Sequence, residues 1–548
     1  MNMDQDLSKR RAMERSFEAI SPFEFKNELI SLAQKNQKKS TRVLLDAGRG
    51  NPNWIAASPR EAFFALGQFA VSESRRVWNE GDLAGKPERK GAAERFRTYA
   101  KAHQDTPGMK LLEDIVEYGI KKQGFQEDEW VHELVDGIIG DNYPVPDRML
   151  VRVEKVVHDF VLQELCQNDK SVGTFDLFAV EGATAAMCYI FDSLLENYLL
   201  NRGDKVAIMV PIFPPYVEIP SLARYAFDVV EIKATARDAA GNHTWQYPES
   251  ELDKLKDPEI KALFLVNPSN PPSVALAPES TEYILDIVQN HNPNLMIISD
   301  DVYSTFVDEF RSLMADVPAN TIGVYSFSKY FGVTGWRLGV IAVHQENIFD
   351  RLLRELPKDK HDILHARYSS MTQHPDDVRF IDRIVADSRQ VALNHTAGLS
   401  TPQQVQMALF CAFALLDQEN RYKQLTKDIC HRRMKLLYDG LGLPYPDLPL
   451  DADYYTEFDL EVWSNQYYGR EFTDYLKANY EPIDILFRLA ENSGIVLLNG
   501  GGFHGPTWSI RCSLANLDDD SYSEIGRDLH KALEGYVREW KSSKGSNA

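Results

Sequence analysis

Tyr325-Ser326-Phe327-Ser328-Lys329-Tyr330-Phe331-Gly332-Val333-Thr334-Gly335-Trp336-Arg337-Leu338-Gly339 is the stretch on which the reading of this chain turns. It follows an apolar run of strand length, Thr321–Ser326. A lysine stands just past that run, with hydroxyls at Ser326 and Ser328 and an arginine eight residues on. The amine can condense with an aldehyde. The serines and the planar fork of Arg337 can hold a phosphate dianion. Ser-x-x-Lys also occurs in penicillin-binding proteins, but that reading calls for Ser-Asp-Asn and Lys-Thr-Gly. Neither tripeptide is present. The plainer alternative is a surface lysine after a strand.

Upstream, other apolar runs end in polar or glycine-rich loops: Val206–Val210, Ala262–Val266 and Met296–Ser299. Between about 160 and 343 such runs alternate with helical stretches. That alternation predicts an α/β fold with a mostly parallel sheet covered on both faces. Ligands of such sheets sit at the carboxyl ends of the strands, where all the quoted motifs fall.

Four motifs complete a constellation. Glu181-Gly182-Ala183-Thr184 opens an apolar helix. Its amides, aided by the helix dipole, suit a phosphate, although an ordinary helix cap reads equally well. In Pro211-Ile-Phe213-Pro-Pro-Tyr216, Phe213 is placed to stack on an aromatic ring or to pack in the core. In Asn267-Pro-Ser-Asn270-Pro-Pro-Ser273, Asn270 can donate a hydrogen bond to a phenolate oxygen, whereas Asn-Pro pairs otherwise make turns. In Ser299-Asp300-Asp301-Val-Tyr303, a carboxylate can keep a pyridine nitrogen protonated, and a tyrosine can share the phenolate. Asp300 is preferred over Asp301 because Asp-x-x-Tyr is the productive spacing; solvated acids at a strand end are the alternative. Read together with Lys329, these residues point to pyridoxal phosphate. Near the C-terminus Arg511 follows a glycine loop and can clamp a carboxylate bidentately. That loop lacks the Lys-Ser/Thr of a nucleotide-binding Walker loop.

The chain has 548 residues, 44% hydrophobic and 26% charged, with a net charge of -21. This length allows two or more domains and the composition is that of a soluble globular protein. The acidity disfavours nucleic acid and anionic membranes, and no run is long enough to span a bilayer. An arginine pocket can still take an anionic substrate. The five scattered cysteines fit a reducing cytoplasm. The N-terminus shows no apolar signal-peptide core. His361 and His365 read as a polar helix face, and no metal is expected. Thr401, Pro402 and Gln404 predict a capping box. The tail 541–548 is expected to fray. The predicted division is 1–54, an N-terminal segment contributing to a small domain; 55–140, a helical insertion; 141–343, a large cofactor domain; and 344–548, a small α+β domain with a helical insertion at about 345–400.

At these residues the chain resembles the fold-type I pyridoxal phosphate enzymes, the aspartate aminotransferase superfamily, from about Leu45 to Ala515. The resemblance implies that Lys329 forms the Schiff base and acts as general acid and base, with Asp300 on the pyridine nitrogen. It implies Asn270 and Tyr303 on the phenolate oxygen, and Phe213 in place of the usual tryptophan or tyrosine. Ser326, Ser328 and Arg337 would hold the phosphate, Arg511 the substrate α-carboxylate, and Gly50 would lie beside the substrate. Tyr143 matches a tyrosine that dimers lend to the neighbouring subunit's phosphate. The extra length, together with Ser21-Pro-Phe-Glu-Phe-Lys26 and Asp46-Ala-Gly-Arg49-Gly50-Asn-Pro-Asn-Trp54, looks like aspartate 4-decarboxylase.

That family converts L-aspartate to L-alanine and CO2, with a side aspartate aminotransferase activity that a keto acid such as pyruvate sustains. It implies a cytoplasmic homo-oligomer built from dimers, such as a dodecamer. Arg49 is a candidate for the distal carboxylate, or simply a loop arginine. A plain aminotransferase is the nearest rival. A DNA-binding regulator lacks an evident helix-turn-helix, and the complete residue set argues against a catalytically dead assembly protein.

Overall fold

Runs such as Ala262–Val266 carry apolar residues at every position, so both faces of their strand must be covered. In the computed structural model, which describes residues 3–18, 20–37, 44–389 and 398–545, they form the centre of a seven-stranded sheet. Its strands are β1 (Phe175–Val180), β2 (Lys205–Val210), β3 (Asp228–Lys233), β4 (Ile260–Val266), β5 (Met296–Asp300), β6 (Thr321–Ser326) and β7 (Gly339–His344). The order is β1-β7-β6-β5-β4-β2-β3. β7 runs antiparallel to β1 and to β6. The pairs from β6 through β3 are parallel. β3 is an edge strand with only Ile232 fully buried, which explains its charged sequence.

The reversed β7 has a direct consequence for the site. Its first residue, Gly339, pairs with Val180 on one side and Ser326 on the other. The segment entering β7 therefore lies at the edge where the parallel strands end, and Arg337 arrives between the loops after β1 and β6.

A second core lies around a three-stranded antiparallel sheet of β8 (Tyr455–Asp459), β9 (Leu498–Asn499) and β10 (Ser509–Ser513), in the order β8-β10-β9. It gathers Phe25 and Leu29 from helix Pro22–Gln37 with Leu437, Phe487, Ile510 and Tyr522 from the C-terminal half. Leu45–Asp46 pairs in parallel with Ile495–Val496, so the N-terminal segment is built into this unit.

Helices Ala57–Val77, Ala92–Ala102, Met109–Lys121 and Glu127–Ile139 fill the expected helical region, joined by a short hairpin at 79–84. Leu66, Phe69, Leu112 and Trp130 share one continuous core with the large sheet and with Val405 and Leu409. Two expectations need correction. Residues 348–416 were assigned to the small domain, yet Phe349, Phe380, Ile384 and Leu409 are buried in the large core. Helix Phe380–Asp387 covers β1 and the helix that follows it, and helix Thr401–Leu416 packs on helices Val151–Cys166 and Glu127–Ile139. The expected capping box is also not formed. Ser400, not Thr401, is the cap residue. Gln404 instead accepts from the Leu150 amide at 2.7 Å and donates to the Leu399 carbonyl at 2.8 Å. The final helix continues from Asp519 to Gly545, through most of the expected frayed tail; residues 546–548 lie outside the described residues. No helix among the described residues is long and apolar enough to cross a membrane.

Candidate active site

A cavity of about 320 Å3 opens at the carboxyl edge of the large sheet and is closed from the other side by β8, β10 and the N-terminal segment. Lys329 enters it from the turn after β6. Three side chains pin the chain just beyond the lysine. Trp54 Nε1 donates to the Tyr330 carbonyl at 3.2 Å, and the Tyr422 hydroxyl to the same oxygen at 2.8 Å. Arg60 donates to the Phe331 and Gly332 carbonyls at 3.2 and 2.6 Å. The lysine Nζ donates to the Gly50 carbonyl at 3.0 Å, and the Tyr454 hydroxyl to that same oxygen at 2.8 Å.

Ala183, Thr184, Ser326, Ser328 and Arg337 meet at one end of the cavity. Ala183–Glu196 is a helix whose N-terminus lies there. Arg337 donates to the Glu181 carbonyl at 3.1 Å and to the Thr334 carbonyl at 2.9 Å. Gly182 has φ +86°, and a Cβ there would stand 2.5 Å from Arg337 Nη2. Only glycine lets the guanidinium close on the helix start. Ser326 and Ser328 hydroxyls bond to each other at 3.0 Å. Helix amides, two hydroxyls and a guanidinium make a donor set with no carboxylate, as a phosphate dianion requires.

Asp300 lines the same cavity. The Tyr216 hydroxyl donates to its Oδ2 at 2.5 Å and the Val302 amide to Oδ1 at 3.2 Å. Burial pushes the Asp300 carboxyl up to about 6, while Tyr216, the Val302 amide and Lys329 pull it down. Such a carboxyl pairs readily with a protonated ring nitrogen. Its neighbour Asp301 does not line the cavity. Asp301 is held by the Ser299 and Ser312 hydroxyls at 2.6 and 2.5 Å, and burial pushes it up to about 7.

Arg511 is 1% exposed. It donates to the Asn270 side-chain oxygen at 3.0 Å and to the Gly48 carbonyl at 2.8 Å. Its Nε has no partner in the protein, although buried. This bond occupies the amide oxygen of Asn270 and leaves its NH2 as the available donor. The Tyr303 hydroxyl lies 2.9 Å from the Tyr455 hydroxyl. Phe213 lies on the wall, its ring 5.6 Å from that of Phe23.

The cavity thus brings together Lys329, Asp300, Tyr303, Asn270, Phe213, Gly50 and Arg511 with the anion cradle. Two expected residues lie elsewhere. Tyr143 is 71% exposed, in a loop ahead of helix Val151–Cys166. Arg49 pairs with Asp46 at 3.0 Å and its side chain is 60% exposed, the position of a loop arginine. His361 and His365 sit on helix Lys358–Tyr368 against the Arg354 carbonyl and Asp376. Three aromatic wall residues were not assigned from sequence: Phe23, Tyr216 and Tyr455. The first two stand inside quoted motifs, but nothing local distinguishes Tyr455 from a strand tyrosine.

A cleft with a lysine opposite a carboxyl, an anion cradle at one end and a buried arginine at the other is the donor set of a pyridoxal phosphate site. Comparison with known proteins agrees. The family model described as aminotransferase class I and II matches residues 182–527. A bifunctional aspartate aminotransferase and L-aspartate beta-decarboxylase of a Pseudomonas species is 47% identical over 530 residues, covering 96% of this chain and 98% of that protein. Among solved structures, an aspartate aminotransferase from Rhizobium meliloti superposes with a TM-score of 0.56 at 15% identity, covering 92% of this chain and 95% of the other. An aromatic aminotransferase from Pyrococcus horikoshii gives 0.55 at 17% identity, with 90% and 96% covered. These two likenesses carry the fold, fold-type I, and the near full-length relative carries the kinship. With both in hand, the chain belongs to the class I and II aminotransferase family.

Proposed function

We propose that this enzyme removes the β-carboxylate of L-aspartate, giving L-alanine and CO2, and carries out aspartate transamination as a side reaction. The near full-length relation to a protein named for both activities is the observation that carries this reading. Pyridoxal phosphate, the cofactor of this family, supplies an aldehyde that condenses with amines and a ring that takes up electrons.

The residues then divide the work. Arg337, Ser326, Ser328 and the amides from Gly182 to Thr184 would hold the phosphate. Asp300, braced by Tyr216, would keep the ring nitrogen protonated, and Asn270 and Tyr303 would serve the phenolate oxygen. Phe213 would support the ring. Arg511 binds the α-carboxylate of aspartate, with its planar fork set by Asn270 and Gly48. Lys329, released from its anchorage, moves the proton at Cα.

The reading extends to assembly. Tyr143 and Val145 are 71% and 76% exposed in one loop, a placement that suits insertion into a second copy. This exposure supports a homo-oligomer built from such dimers. Five unpaired cysteines suit a reducing, cytoplasmic setting. The test is product analysis of the holoenzyme with L-aspartate, with and without pyruvate. CO2 and alanine in equal amounts over many turnovers without pyruvate support the reading. Oxaloacetate that stops after one turnover and resumes with pyruvate replaces it with a plain aminotransferase.

A further inference from the structure

Tyr455 opens β8, and its two ends face different parts of the cavity. Its ring lies 4.3 Å from the guanidinium carbon of Arg511. Its hydroxyl is 2.9 Å from that of Tyr303. A Cβ built on Gly50 would overlap the Tyr455 hydroxyl and stand 3.0 Å from Lys329 Nζ. Hydroxyl and amine therefore crowd the same glycine. Tyr455 runs alongside the interval between Arg511 and Lys329, where an amino acid with its carboxylate on Arg511 and its nitrogen at Lys329 must lie. The ring serves the carboxylate end and the hydroxyl reaches the amine end, beside the carbons that join the two.

Loss of the β-carboxylate consumes a proton that transamination does not: the carboxylate leaves as CO2 and Cβ gains a hydrogen. Lys329 is committed to Cα. We propose that the Tyr455 hydroxyl delivers the proton to Cβ; this rests on the decarboxylase reading above. The bond from Cβ to the carboxylate breaks, CO2 departs, and its electron pair ends in a new Cβ–H bond to the Tyr455 proton. The phenolate so formed regains a proton from solvent entering the cavity that Tyr455 lines. One proton is taken up per CO2, and no oxidant or reductant is needed. Burial, and then Tyr455 and Tyr454, push Tyr303 well above the usual tyrosine range, so Tyr455 keeps a neutral hydroxyl as its neighbour.

The experiment compares wild-type holoenzyme with Tyr455→Phe and Tyr455→Leu. Cofactor absorbance and thermal midpoint report loading and folding. Tyr455→Phe keeps the ring under Arg511, so the KM for aspartate and the calorimetric Kd for succinate are expected to move by less than about threefold. CO2 release is expected to fall about 100-fold, with product shifted towards oxaloacetate. Tyr455→Leu is expected to lose the ring contact as well and raise both KM and Kd. Aspartate stereospecifically deuterated at Cβ, turned over in tritiated water, is expected to give a chiral methyl group with wild type and a racemised one with Tyr455→Phe. A Tyr455→Phe enzyme with the wild-type CO2 rate, or with a stereochemically pure methyl group, overturns the proposal. So does a raised KM with unchanged kcat, which would make Tyr455 only a support for Arg511. Wild type that releases no CO2 overturns the decarboxylase reading itself, and this step with it.

Discussion

Lys329 and Gly50 meet without a side chain between them. The lysine Nζ donates to the glycine carbonyl at 3.0 Å, and a Cβ on Gly50 would stand 3.0 Å from that same nitrogen. The glycine thus both accepts from the lysine and leaves the space its side chain occupies.

Gly50→Ala is expected to lower kcat/KM for aspartate by about 100-fold, because its methyl group displaces Lys329 and Tyr455 from the substrate. Steady-state kinetics measure the loss. The thermal midpoint should move little, since the crowded atoms are side-chain ends and not backbone.

Asp300 and Asp301 are adjacent in sequence and opposite in consequence. Asp300→Asn removes the charge facing the ring nitrogen and is expected to lower kcat by about 1,000-fold. Asp301→Asn disturbs only the bonds from Ser299 and Ser312. It is expected to cost stability on the order of 2 kcal/mol while kcat stays within a few-fold. Kinetics paired with urea unfolding separate the two.

Much of this site was legible because its parts follow strand ends in order. Lys329, Asp300, Asn270 and Gly182 each stand just past an apolar run, and parallel pairing carries them to one edge. Arg337 joins them because β7 reverses direction, a topological fact invisible in its own residues. Phe23 and Tyr455 come from segments far from the sheet in sequence, and an aromatic residue beside a buried strand carries no local mark of function. The boundary placed at 344 failed for a related reason. Amphipathic helices declare that they bury a face, not which core receives it, and helices 348–416 turned back onto the large sheet.

Arg511→Lys replaces a planar fork that reaches Asn270 and Gly48 with a single ammonium. The KM for aspartate is expected to rise about 100-fold with a smaller change in kcat, and the Kd for succinate to rise in parallel.

Glu457 pairs across β8 and β10 with Arg511, is buried, and accepts from the Ser509 hydroxyl at 2.5 Å. Burial first, then Asp459, push its carboxyl up to about 8 against the pull of Ser509 and Arg511. The folded state therefore keeps a proton that the unfolded chain has released between about pH 4.5 and 8. Its contribution is favourable below that window and is lost as pH rises through it. Glu457→Gln is expected to gain on wild type on the order of 3 kcal/mol at pH 9, with little gain at pH 5. Unfolding midpoints at the two pH values measure the difference.

The two-residue pairing of Leu45–Asp46 with Ile495–Val496 carries a consequence for biosynthesis. The first partner leaves the ribosome about 450 residues before the second. At ordinary elongation rates that is a wait of roughly 20 to 90 s. Throughout it the loop bearing Gly48 and Gly50 lacks both its strand and Arg511, whereas the large sheet has its last strand, ending at His344, about 150 residues before Ile495 is made. A nascent chain can thus assemble its phosphate cradle early, but the substrate pocket closes only when the last hundred residues emerge.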